Sequence, residues 1–116
     1  MIQPTVAVDF DGVIADYRGW KGVFELGEPY PGAGEFLRIL AEDYRVVVFT
    51  TRSVAHVMDW LFQRGWTKYV VDVTNQKPVA FAYIDDRAIC FNGCYADALQ
   101  ALHGFEAHWE KQHEPG

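Results

Sequence analysis

Cysteine is scarce: Cys90 and Cys94 are the only two in 116 residues. No disulfide framework is signalled, and His103, His108 and His113 do not join the cysteines at zinc-ligand spacing. So few cysteines fit a reduced cytosolic setting. Positive charge is the minority, 10 basic against 16 acidic residues. The net charge of -6 argues against a nonspecific coat for nucleic acid or membrane, though not against a small local basic site. No apolar run approaches the ~18 residues of a membrane helix. Met1-Ile2-Gln3-Pro4 lacks the basic start and long apolar core of a signal peptide. Internal repeats, linkers and low-complexity blocks are missing as well. The expectation is a soluble, cytoplasmic protein whose residues 1–116 form one domain.

What is present supports a real core. Half the residues are hydrophobic and 16% are aromatic, enough to fold without disulfide or metal staples. The chain is organised around Val6-Ala7-Val8-Asp9-Phe10-Asp11-Gly12-Val13. Residues 5 to 8 are β-branched or small, the composition of a buried strand. Asp9 and Asp11 then fall at its carboxyl end, where open α/β sheets place their ligands. Two positions apart on a strand, they can face one site. Carboxylates held that close repel, and burial adds to the cost; a divalent cation would offset both. The competing reading is a solvated turn, since Asp and Gly are turn formers.

Residues 12–34 are rich in Gly, Pro and aromatics and read as a loop, with a short hairpin around Gly22 to Leu26. Tyr17, Arg18, Trp20 and Lys21 would lie beside the strand-end site, either for ligand contact or as the loop's own packing. A helix is predicted from Ala33 to Glu42, with Phe36, Leu37, Leu40 and Ala41 on its apolar face. Arg45–Phe49 reads as a strand buried on both faces, as in a parallel sheet. Ser53 is placed to cap a second helix with Val57, Met58, Leu61 and Phe62 inward, ending at Gly65. Tyr69–Val71 and Phe81–Ile84 read as strands, and Ala88–Phe91 as a short fifth. A third helix is predicted over Tyr95–Leu102, with Ala98, Leu99 and Leu102 inward. Phe105 and Trp109 fold back as packing, and Lys111–Gly116 reads as a frayed end. Alternating strands and helices imply an α/β fold, a three-layer Rossmann-like sandwich with a mainly parallel central sheet.

Three strand ends carry polar groups: Asp9 with Asp11, Thr50 with Thr51 and Arg52, and Asp85 with Asp86. Lys77 precedes the last of these strands. If the strands are parallel, all four groups gather at one edge of the sheet. Taken singly, each has a plain structural reading: a helix cap, a solvated lysine, a turn. Arg52 is a second cation for phosphate or an ordinary ion pair, and Arg87 reads as a structural ion pair.

In this order the residues resemble the motifs of the haloacid dehalogenase superfamily of phosphohydrolases, over nearly the whole chain. Asp9-Phe10-Asp11-Gly12-Val13 matches the first motif, Thr50 the second, Lys77 the third and Asp85-Asp86 the fourth. The resemblance implies that Asp9 is the nucleophile that forms an aspartyl-phosphate. Asp11 would protonate the leaving oxygen and then help deprotonate water. Thr50 and Lys77 would hold the phosphoryl group. Mg²⁺ would bind Asp9, the backbone carbonyl of Asp11, Asp86 directly, and Asp85 directly or through water.

The gaps between motifs are too short for the large cap domain of many relatives. An open site implies a substrate large enough to cover it, a second subunit that does so, or poor activity on small substrates because water is not excluded. A nucleotide or polynucleotide end is attractive because Tyr17 and Trp20 could stack on a base, with nucleic acid entering only as substrate. Two other classes compete. A response-regulator-type phosphoacceptor also uses acids, a Thr and a Lys-Pro pair around Mg²⁺. It needs its phosphorylated Asp after a central strand, where this chain has Thr50, and its Lys later than Lys77 stands. A catalytically idle binding module on the same scaffold is the other.

Overall fold

Val6, Ala7 and Val8 are all buried, so β1 (Thr5–Asp9) is covered on both faces and belongs in the interior of its sheet. A computed structural model, which describes residues 3–111, places it there. β2 (Arg45–Phe49) repeats the pattern with Val46, Val47 and Val48 buried. The outer strands are β3 (Asp72–Thr74) and β4 (Ala82–Ile84), each of three residues. The sheet runs β3-β2-β1-β4, and every pairing is parallel. The expected parallel α/β fold is therefore present, and the described residues include no cap domain.

α1 (Ala33–Asp43) connects β1 to β2, and α2 (Val54–Gln63) connects β2 to β3. Both steps move across the sheet in one direction, so right-handed crossovers put both helices on one face. Their junction is aromatic. The rings of Trp60 on α2 and Trp66 meet at 5.7 Å, and Trp66 lies against Gly34 of α1. Leu37, Val57 and Leu61 reach zero exposure against Val8, Val46, Val48 and Phe10 of the sheet side. Residues 75–81 then return the chain to the far edge, where β4 pairs with β1. α3 (Tyr95–His103) and the single turn α4 (His108–Lys111) follow.

Several expectations shift. The apolar run Tyr69–Val71 is not a strand: residues 67–69 form a 3-10 turn, and pairing begins at Asp72. An edge strand tolerates polar Asp72 and Thr74 as long as Val73 points inward. The inward face of α2 is Val57, Trp60 and Leu61, whereas Met58 and Phe62 are exposed. Trp60 turns inward because its indole N–H finds the Gly27 carbonyl at 3.0 Å, so the ring is buried without stranding a donor. Leu99 and Leu102 of α3 are exposed, and that helix has no buried residue. No strand forms over 88–91, and no hairpin over 22–26, among the described residues. The 12–32 loop is held instead by bridges of Ala15 to Asp11 and Pro29. Trp109 is buried as expected, together with Ala107, whereas Phe105 is exposed and does not pack. The expected frayed end from residue 112 onward lies outside the described residues, while Lys111 closes α4.

Candidate metal centre

Sheet register brings the acids together. Val8 pairs with Ile84, so Asp9 and Asp85 follow on adjacent strands at the same level. Parallel neighbours lie about 4.8 Å apart, close enough for the two side chains to converge. The chain turns at once, and Asp86 joins them: one carboxylate oxygen from each of Asp9, Asp85 and Asp86 lies within 4.8 Å of the others. Oxygens bound to one hard divalent cation stand about 3–5 Å apart, so the spread and the all-carboxylate donor set fit such an ion.

The electrostatics point the same way. Burial, a carboxyl contact with Asp86 and the charges of Asp85, Asp86 and Asp11 push Asp9 up to about 9. Without a counter-charge, these surroundings favour the protonated form of Asp9. A cation among the three oxygens would replace that proton and favour the charged form.

Each acid is also fixed from behind. Asp9 accepts the Phe10 amide at 3.0 Å, and Asp85 accepts the Arg87 amide at 2.8 Å. Asp86 accepts the indole N–H of Trp109 at 2.5 Å. Gly12 passes so close to Asp86 that a Cβ there would strike the carboxylate, and its φ of +82° suits glycine for a second reason. The Gly12 carbonyl meets Nε2 of His108 at 2.6 Å. Thus α4, at the other end of the chain, walls the acidic group.

The remaining sequence-selected residues surround this centre without all joining it. The Asp11 carboxylate is turned to Arg52, bound by Nε at 2.8 Å and a second nitrogen at 3.2 Å. Arg52 is itself buried, gives another hydrogen bond to the Gly22 carbonyl, and lies 4.4 Å from the Trp20 ring centre. Of its two expected readings it shows the ion pair, inside rather than at the surface. Thr50 is buried. Its amide donates to Thr74, its Oγ1 accepts the Arg52 amide at 2.9 Å, and Asn75 holds the Thr50 and Arg52 carbonyls. Lys77 is exposed, with Nζ 4.4 Å from the Tyr83 ring centre. It borders, with Asp9 and Asp85, a cavity of about 220 Å³.

A second cleft of about 300 Å³ opens on the acids and is lined further by Asp11, Tyr17, Thr51 and Arg87. Among the described residues Arg87 makes no ion pair, contrary to expectation. Its guanidinium lies over the rings of Trp109, at 4.8 Å, and Tyr17, at 5.8 Å. Aromatic faces replace the missing carboxylate partner. Tyr17 stands edge-on to Trp109 at 4.8 Å. Neither His108 nor Trp109 carries a local sequence signal for a site. Their contacts lie 96 and 23 residues away along the chain, beyond the reach of spacing rules.

No helix of the described residues is long and apolar enough to cross a membrane. Compared with protein-family models, curated proteins and solved structures, the chain matches none. What stands is a small parallel α/β fold with an acidic group able to hold a metal ion.

Proposed function

We propose that the chain is a Mg²⁺-dependent phosphatase of the haloacid dehalogenase type, hydrolysing a phosphate monoester through an aspartyl-phosphate on Asp9. The observation that carries this reading is the convergence of Asp9, Asp85 and Asp86 at the carboxyl end of the parallel strands. Bound there, Mg²⁺ would neutralise carboxylate and phosphate charge and keep Asp9 ionised.

The chain's own residues supply the rest. An Asp9 oxygen attacks phosphorus while the ester P–O bond breaks and the leaving oxygen takes a proton from Asp11. Water then attacks the phosphorus of the aspartyl-phosphate, losing its proton to Asp11. Inorganic phosphate leaves and the Asp9 carboxylate returns. Lys77 swings off Tyr83 across the shared cavity to meet phosphoryl oxygens, and Thr50 donates its hydroxyl to them. Arg87 adds charge from the other cleft. Phosphorylated nucleotides or polynucleotide ends are the substrates favoured by the surrounding rings. Tyr17 carries two guanidiniums and the edge of Trp109, whereas Trp20 carries the Arg52 guanidinium alone and is about half exposed, so its open face is the one offered to a base.

One observation favours a catalytically idle binding module instead: Asp11 is tied to Arg52 and must be released, or served by it, to transfer protons. Phosphate release from p-nitrophenyl phosphate and from a panel of nucleotides and 3′- or 5′-phosphorylated oligonucleotides separates the two. The phosphatase requires release that needs both Mg²⁺ and Asp9. Release that survives Asp9→Asn overturns the nucleophile. Mg²⁺ binding with no release from any of them selects the binding module.

A further inference from the structure

We infer that Trp109 is a positioning residue for the metal centre, acting through Asp86; this rests on the metal reading proposed above. Three observations converge on it. The indole N–H donates to Asp86 Oδ2 at 2.5 Å. The ring is only 8% exposed, so the donor has little water to turn to and the bond is retained. Its surroundings hold it from two sides: Tyr17 meets it edge-on at 4.8 Å and the Arg87 guanidinium lies over it at 4.8 Å.

The consequence for Asp86 is geometric. A carboxylate at the start of a loop turns freely about its last bond, and three such groups rotating independently lose entropy when a cation orders them. An indole N–H on one oxygen fixes the plane of the group and leaves the second oxygen for a ligand role. Being neutral, the indole does this without competing with the cation for charge, as a lysine or arginine would. Gly12 completes the arrangement. It lets the backbone pass against Asp86, and its carbonyl is joined to His108, the residue before Trp109. The turn α4 therefore clamps both the loop after Asp9 and the carboxylate of Asp86. Partners of metal ligands commonly contribute a factor of 10–100 in metal affinity.

The test uses the full chain labelled with ¹⁵N, with the indole signal of Trp109 assigned by its connection to the backbone, and Mg²⁺ alone as the probe. The indole signal is expected to move on Mg²⁺ addition together with the amides of residues 9, 85 and 86. It is also expected to move in Asp86→Asn without any metal. Trp109→Phe, which keeps a ring but removes the donor, is expected to weaken Mg²⁺ binding by about tenfold or more. Its unfolding midpoint without Mg²⁺ serves as the separate measure of purely structural damage. Amides that move while the indole stays still, or native affinity in Trp109→Phe, overturn the positioning role and leave the metal reading intact. If none of these signals responds to Mg²⁺, the metal reading fails and the positioning role with it.

Discussion

Arg52 holds the Asp11 carboxylate through two guanidinium nitrogens, with side-chain exposures of 2% and 15%. A pair so far out of water is costly to break by halves, because the survivor keeps its charge and loses its partner. Arg52→Met is therefore expected to destabilise the fold by about 3–5 kcal/mol. Asp11→Asn strands the guanidinium in the same way. The double variant should cost less than the sum of the singles, with a coupling above ~1 kcal/mol in urea unfolding. Simple additivity would mean that the two side chains do not depend on each other.

The acidic group predicts an unusual response to pH. Asp9 is raised from an ordinary 3.8 to about 9. Between those values the folded chain keeps a proton that the unfolded chain has released. Cation-free stability is thus fullest below the unfolded value and declines as pH rises towards the folded one. A divalent cation takes over the proton's role. Thermal unfolding with EDTA or Mg²⁺ should show a larger Mg²⁺-induced rise in Tm at about pH 8 than at about pH 5. Equal rises would separate the cation from the Asp9 proton.

Gly12→Ala tests how closely the loop is fitted to the acids. The left-handed backbone alone costs roughly 1–2 kcal/mol for a residue with a Cβ. Here the Cβ would also press on the Asp86 carboxylate. Lower stability and weaker Mg²⁺ binding are expected together, read from urea midpoints and calorimetric titration. Gly32→Ala, where a Cβ would have open space at a φ of +86°, is the control for strain alone.

Lys77 offers the opposite case. Its side chain is exposed, so Lys77→Ala should change stability by no more than ~0.5 kcal/mol. Phosphate release should nevertheless fall by at least about tenfold if Nζ meets the phosphoryl oxygens. Unchanged turnover would remove Lys77 from the mechanism.

The sequence made some of this visible and hid the rest for physical reasons. β1 and β2 were legible because strands buried on both faces are written as unbroken apolar runs. The acids at the mouth of β1 followed from that placement. β3 was misplaced because an edge strand needs only one inward residue, Val73, while the stronger apolar run before it makes a turn. Trp60 was missed because reading a helix face counts apolarity and not the carbonyl, here that of Gly27, that lets an indole be buried. Arg52 could be selected from its place after Thr50, but its commitment to Asp11 depends on a contact 41 residues distant. Trp109 was legible only as packing.

The His108–Gly12 contact joins residues 96 apart. Closing so long a loop waits for residues 12 to 108 to exist, and its entropic cost is recovered only when β1, β4 and α4 are already aligned. The acid of β1 leaves the ribosome well before the indole that donates to Asp86. The wall of the acidic group is therefore completed after the acids themselves, and a chain stopped before residue 109 would carry Asp9, Asp85 and Asp86 without the indole N–H that Asp86 accepts.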